Sequence, residues 1–250
     1  MRVLLSQQSN LLIIFFVAII SCSDGYSQKL DSVVMGNQLW LGNYTKIRFS
    51  DHWGLWLEPH LRRTNDFVKK PFQALARVGA IYYFDDASQL LAGYTFSSFG
   101  SEYERFNGVE KEQRIWQQFQ SASYLSKRFK LSHWARLEQC FMNEDFERKF
   151  EMRANGNLNF SVDLAYWKKQ KGIVSLVVYD NFFLYLRKVT VGQDIFDQNR
   201  FFVGMAYPSN KRNYLQIGYL LVNQLNRNAV YTRNHNIGIY WFQNINNIKR

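Results

Sequence analysis

Residues 112–141, EQRIWQQFQSASYLSKRFKLSHWARLEQCF, predict two long strands joined by a tight basic turn at residues 126–128. Even positions carry a polar and charged face, made by Arg114, Trp116, Gln118, Gln120, Trp134, Arg136 and Glu138. Odd positions are richer in apolar side chains, namely Ile115, Phe119, Leu125, Leu131, Ala135, Leu137 and Phe141. Because successive strand side chains point to opposite faces, this alternation predicts an antiparallel sheet with one apolar face.

The same alternation recurs along the chain and gives eleven candidate strands. They are residues 38–49, 53–63, 72–84, 89–99, 113–124, 131–142, 149–160, 173–186, 200–207, 214–222 and 236–242. No segment shows a sustained helical period, so the chain is predicted to be all-β. Pro59 is the one residue that argues against its strand, because proline cannot donate to a ladder.

Short turns alternate with longer loops, as they do in outer-membrane barrels. The predicted fold is therefore an all-β, antiparallel, up-and-down transmembrane β-barrel. Bacterial single-chain barrels have an even number of strands, so one of the eleven candidates is expected to be miscounted. The expected number is about 12 strands, with 10 as the alternative.

The N-terminus predicts export. Arg2 precedes an apolar core at residues 11–20, which has the length of a signal-peptide core and is too short to span a membrane. The predicted domains are a signal peptide, residues 1–27, and one outer-membrane barrel, residues 28–250. A lipoprotein alternative would acylate Cys22 instead of cleaving after Ser27. The predicted location is the outer membrane of a Gram-negative envelope.

The composition is basic and aromatic, with a net charge of +11 and 17% aromatic residues. In a cytosolic protein this would suggest nucleic acid. Behind an export signal it favours contact with anionic lipid, with aromatic side chains at the membrane interfaces. The expected partners are outer-membrane lipid and a small solute in the lumen, and nucleic acid is not expected.

Ten polar or charged residues are predicted to point into the lumen. They are Glu58, Arg62, Arg77, Arg114, Gln118, Arg136, Glu138, Glu151, Arg153 and Arg200. They could form a selectivity ring or ligand site that prefers anions, given the excess of arginine. They could also form a plug of ion pairs, which is favoured because small barrels fill their interiors with side chains.

No catalytic, cofactor-binding or metal-binding residues are predicted. The four histidines do not form a metal motif, and no G-x-S-x-G elbow exists. Ser132 and His133 are adjacent, so they point to opposite sides of a strand. The expected function is a narrow pore or a structural membrane component, and an enzyme is not expected. The alternatives are a lipid-modifying outer-membrane enzyme and a soluble periplasmic barrel that binds a small ligand.

Four motifs give the chain a family resemblance. They are RIWQQ at 114–118, RLEQCF at 136–141, FDQNR at 196–200 and GYL at 218–220. With them the chain resembles the exported β-barrel proteins grouped as domain of unknown function 2490, over essentially the whole mature chain. The resemblance implies outer-membrane placement and supplies no catalytic residues. Two features depart from that family: Cys140, where a basic residue is expected, and a polar tail at residues 243–250.

Overall fold

A computed structural model describes residues 33–64, 66–100, 109–144, 147–167, 172–187, 195–210, 212–225 and 231–247. The predicted signal peptide lies outside the described residues. The strands are β1 (Val33–Arg48), β2 (Trp53–Thr64), β3 (Lys70–Tyr83), β4 (Ser88–Phe99), β5 (Val109–Tyr124), β6 (Phe129–Glu144), β7 (Glu147–Trp167), β8 (Gly172–Arg187), β9 (Phe196–Pro208), β10 (Tyr214–Leu225) and β11 (Tyr231–Asn246). Among the described residues, no helix has the length and apolar character needed to cross a membrane.

The eleven strands close into a single barrel in which chain neighbours are also neighbours in the sheet. Every consecutive pair is antiparallel, so an odd number of strands makes β1 and β11 run in the same direction. At this parallel seam the Asn247 amide donates to the Arg48 carbonyl at 2.8 Å. Thr45 Oγ1 also donates to Gln243 Oε1 at 3.0 Å. The observed number differs by one strand from the expected twelve and from the alternative ten, because a parallel pair closes the barrel.

The two faces of each strand differ as the alternation predicts. In β3 the side chains of Gln73, Leu75, Arg77, Ile81 and Tyr83 are buried, and the residues between them are mostly exposed. Since a barrel has one inner and one outer face, the buried set points inward and the exposed set outward. In β3 the charged side chain of Arg77 is thus inside the barrel together with apolar ones, whereas the outward side chains between Gln73 and Ile81 are apolar.

Trp116 fills the interior at a place where the barrel wall has no side chains. Its ring lies against Gly79 and Gly93, which are directly opposite each other on β3 and β4. A Cβ added to Gly79 would lie 2.7 Å from the indole ring, and one added to Gly93 would lie equally close. Trp116 is fully buried as a result. Glycine in a strand often marks such a close approach.

Pro59 lies in β2 with its side chain exposed. The ladder between β1 and β2 pairs Gly42 with His60, omits the next two pairs and resumes at Thr45 with Leu57. The gap falls where proline lacks the N–H needed for a ladder bond. The barrel therefore tolerates Pro59 by a local interruption of the pairing.

Several strands are longer than the alternation predicts. β7 extends to Trp167 instead of residue 160, and β11 starts at Tyr231 instead of residue 236. β11 also includes Gln243–Asn246, which the sequence suggested was a polar tail. Backbone pairing needs no apolar alternation, so hairpins continue beyond the part of the sequence that shows it.

Candidate functional site

The structure places all ten predicted luminal residues on the inner face. Eight are buried: Glu58, Arg77, Arg114, Gln118, Arg136, Glu138, Glu151 and Arg153. Arg62 and Arg200 are partly buried. All except Glu151 and Arg153 line one cavity inside the barrel. The predicted residues therefore share one interior, although they come from six strands.

The strand register brings these charges into neighbouring rows. One row crosses five strands through Arg77, Thr95, Arg114, Cys140 and Glu151. The next row runs from Trp116 to Glu138 to Arg153. Because residues in adjacent rows on one face are near enough for long side chains to meet, the rows bring arginine and glutamate together.

Glu138 is the centre of the resulting ion-pair network. Arg153 Nη2 donates to Glu138 Oε2 at 2.9 Å. Arg114 and Arg136 each place a guanidinium nitrogen 3.5 Å from the same carboxylate. Arg77 lies 3.6 Å from it. Glu138 is 1% exposed, so four arginines surround one carboxylate that water does not reach.

The network extends in both directions from its centre. On one side, Arg77 pairs with Glu58, and Glu58 Oε1 lies 3.0 Å from His60 Nε2. On the other side, Arg114 pairs with Glu112, and Arg153 Nη1 donates to Asp197 Oδ2 at 3.0 Å. Charged hydrogen bonds of this kind are among the stronger ones in proteins. The network therefore links β2 to β9 through the middle of the barrel.

Sequence reasoning missed Glu112 and Asp197 as members of this network. Glu112 has the same parity as Arg114, so the alternation contained the signal for it. Asp197 falls between the predicted strands at residues 173–186 and 200–207. It lies next to an irregularity in the β8–β9 pairing at Phe183/Leu184. Such a bulge places consecutive residues on one side, and Asp197 and Gln198 are indeed both buried. The alternation of inward and outward positions alone could not have identified Asp197 as an inner residue.

The cavity has a volume of about 620 Å³ and reaches the end of the barrel that carries the short turns. Asp86, Ala87, Arg212 and Asn244 are among its lining residues at that end. Toward the other end its lining reaches Arg62 and Gln73 on β2 and β3, and it ends at Arg114 and Glu138 on β5 and β6. Beyond them lies a buried apolar cluster of Phe99, Val109, Cys140 and Met142. These buried side chains occupy the lumen next to β4, β5 and β6 on the side of the long loops.

Two arginines in the cavity differ from those of the network. The Arg62 guanidinium carbon lies 3.6 Å from the centre of the Trp40 ring, and that of Arg200 lies 5.0 Å from it. Arg62 donates to Gln73 and Arg200 Nε donates to Gln198 at 2.9 Å. Within the described residues, neither has a carboxylate partner in an ion pair. Their contacts are with aromatic rings and neutral amides, and the Asp197 carboxylate, which is paired with Arg153, also attracts Arg200.

The histidine and carboxylate side chains give no metal site in the part of the chain that the structure describes. There, no group of three or more His, Cys, Asp or Glu side chains could hold a metal ion. His60 is instead held by Glu58 and by an edge contact with the Tyr44 ring, whose centroid is 5.1 Å away. The arrangement can hold charges in place and attract an anion.

Comparisons with known proteins give one finding. Neither the curated proteins nor the solved structures contain a match to this chain. A family model matches residues 37–233, which reach from β1 into β11 and include the whole ion-pair network. The chain belongs to the family described as "Protein of unknown function (DUF2490)".

Proposed function

We propose that the protein is an outer-membrane β-barrel whose lumen is plugged by the Glu138 ion-pair network. It would act as a structural membrane component with a cavity open at the short-turn end, rather than as an open pore. The observation that carries the proposal is the distribution of side chains: many large apolar ones are exposed on the outside, while the charged network is buried inside.

The outer surface fits a hydrocarbon environment. Val78, Tyr94 and Ile115 are each more than 40% exposed, although they lie beside buried Arg77 and Arg114. Soluble monomers rarely expose a contiguous apolar surface that surrounds the whole molecule. A closed barrel also satisfies its backbone in lipid, which a sheet with free edges cannot do.

Aromatic side chains support the same proposal because they cluster at one end of the apolar surface. Trp53, Tyr82, Phe84 and Phe119 form a chain of ring contacts near the short turns, with centroid distances of 5.1, 5.3 and 6.5 Å. The exposed turn residues that follow are polar, such as Asp51 and Asp85. Aromatic girdles of outer-membrane barrels lie at this boundary between lipid and water.

Two measurements test the proposal. The protein is first located by cell fractionation and run on gels with and without boiling. A closed membrane barrel is expected in the outer-membrane fraction and should migrate faster when unboiled. Recovery in the soluble periplasmic fraction would contradict membrane insertion and would favour a barrel that binds a ligand in solution.

Planar bilayers then test the plug. The purified barrel is expected to give no sustained conductance, because the Glu138 network and the apolar cluster block the lumen. Replacing both Glu138 and Arg153 with alanine shortens two side chains of the plug and should increase the frequency of transient openings. Steady channels from the unaltered protein would show that it is an open pore.

A further inference from the structure

We infer that the inner end of the cavity binds a small organic anion, with Arg62 and Arg200 holding its phosphate or carboxylate group. The wall beside Trp40 would hold its apolar ring. This site goes beyond the proposed structural role, in which the same cavity would need no ligand.

The first argument is charge balance. The network arginines share carboxylates, as Arg77 does with Glu58 and Arg153 does with Asp197. Arg62 and Arg200 both line the cavity, and among the described residues neither forms an ion pair with a carboxylate. Asp197 attracts Arg200, but that carboxylate is already paired with Arg153. Two like charges in a confined interior are costly unless an opposite charge joins them. An anion between them would remove that cost.

The second argument is the supply of hydrogen-bond donors. A guanidinium has five N–H donors in a flat fork that matches phosphate and carboxylate. Arg62 uses Nη1 for Gln73, and its Nε is buried without a partner. Arg200 uses Nε for Gln198. Both side chains therefore keep donors available for a ligand in the cavity.

The third argument is the shape and lining of the cavity. A volume of about 620 Å³ suits a small molecule, since ligand pockets commonly have about 300–1,000 Å³. Trp40, Tyr44, Phe183 and Tyr240 add aromatic surface near the two arginines. Such surface favours a ligand with an apolar ring next to its anionic group.

The route into the cavity also selects the ligand. Lys46, Lys130 and Arg212 line the path from the short-turn end, and basic side chains along a cleft attract anions and speed their entry. The strands form a closed barrel, so entry is through the barrel end rather than from the membrane. The ligand is thus expected to be a soluble molecule and not a lipid that enters between strands.

Isothermal titration of the purified barrel in a non-ionic detergent tests the site. The probes are phenyl phosphate and benzoate, with phenol as the uncharged comparison. Saturable binding of at least one anion is expected, and phenol should not compete. R62Q/R200Q should weaken anion binding at least about tenfold, because both positive charges and their charged hydrogen bonds to the anion are lost.

The matched control is R187Q/R233Q, which removes the same charge from two exposed side chains at strand ends near the long loops. It should bind the probes as the unaltered protein does. R62K/R200K keeps the charge but loses the flat fork, so intermediate affinity is expected. The heat-dependent gel shift is scored for each variant, so that loss of folding is distinguished from loss of binding.

Three results would overturn the inference. They are no saturable binding of either anion to a folded barrel, equal binding of phenol, and equal weakening by the control pair. A barrel that shows the gel shift but binds no anion would refute this site and leave the proposed membrane role intact. Loss of the gel shift in the unaltered protein would instead contradict the membrane role.

Discussion

Glu138 and Arg153 lie directly opposite each other on β6 and β7, and the Arg153 guanidinium donates to Glu138 Oε2 at 2.9 Å. This pair is the shortest contact that Glu138 makes with the four arginines around it. Both residues are buried, so each depends on the other for the compensation of its charge. The pair is part of the interior network, so replacing either residue should lower the stability of the barrel.

Replacing Glu138 with glutamine should destabilise the barrel by about 3–5 kcal/mol, the usual cost of breaking a buried ion pair from one side. The four arginines would keep their charges and lose their common carboxylate. Urea unfolding of the barrel in lipid vesicles, followed by tryptophan fluorescence, gives the free energy. The control E110Q removes an exposed carboxylate from β5 and should leave stability nearly unchanged. Equal effects of the two variants would contradict a central role for Glu138.

Replacing Gly93 with alanine should destabilise the barrel by about 1–3 kcal/mol, the usual range for overpacking. Its new Cβ would clash with the Val78 carbonyl and with the ring of Trp116, 2.7 Å away. G36A is the matched control, because its Cβ would meet the end of the flexible Asn234 side chain, which can rotate away. The same urea titration compares them, and a G93A barrel as stable as G36A would disprove the tight fit around Trp116.

Val78 tests the orientation of the outer face. An arginine there would point into the hydrocarbon region and should lower the stability of the inserted barrel by about 2–4 kcal/mol. S209R adds the same charge in the exposed turn between β9 and β10 and should have little effect. Folding into vesicles at graded urea concentrations measures both. Should V78R insert as well as S209R, the apolar face would not be in lipid.

Cys140 should be inert in the folded protein. Its side chain is fully buried within the interior row between Arg114 and Glu151. A maleimide reagent is expected to label it only after boiling in detergent. S126C supplies a positive control, since an exposed thiol in the turn should react without boiling. Labelling of Cys140 in the unboiled barrel would show that the apolar cluster opens.

The alternation in the sequence predicted the faces well because period-2 patterning is a local property of each strand. Val78 and Arg77 are neighbours in the chain, and their opposite exposures follow from that pattern alone. The ten predicted luminal residues lie on the inner face, but Glu112 and Asp197, which also lie there, were not among them. The order of the strands in the sheet is the order of the strands in the chain, because chain neighbours pair throughout the barrel.

The pairing of the inner charges could not be predicted in the same way. That Arg153 meets both Glu138 and Asp197 depends on the register of three strand pairs and on a bulge near Asp197. The approach of Arg62 and Arg200 to Trp40 depends on closure of the barrel, which brings β9 near β1. The alternation gave eleven strands, as observed, and the expected twelve was wrong by one because it assumed an antiparallel closing pair, whose direction has no local signature.

The parallel seam between β1 and β11 also bears on how the molecule assembles. Every other strand pair joins two consecutive strands of the chain. The seam joins segments about two hundred residues apart, so its formation has the largest loop-closure entropy cost. The hairpins are therefore expected to form early and the seam last. A chain that ends before β11 would keep two open edges, and open edges favour aggregation. Pairing of β11 with β1 should thus be the step that commits the barrel to its closed state.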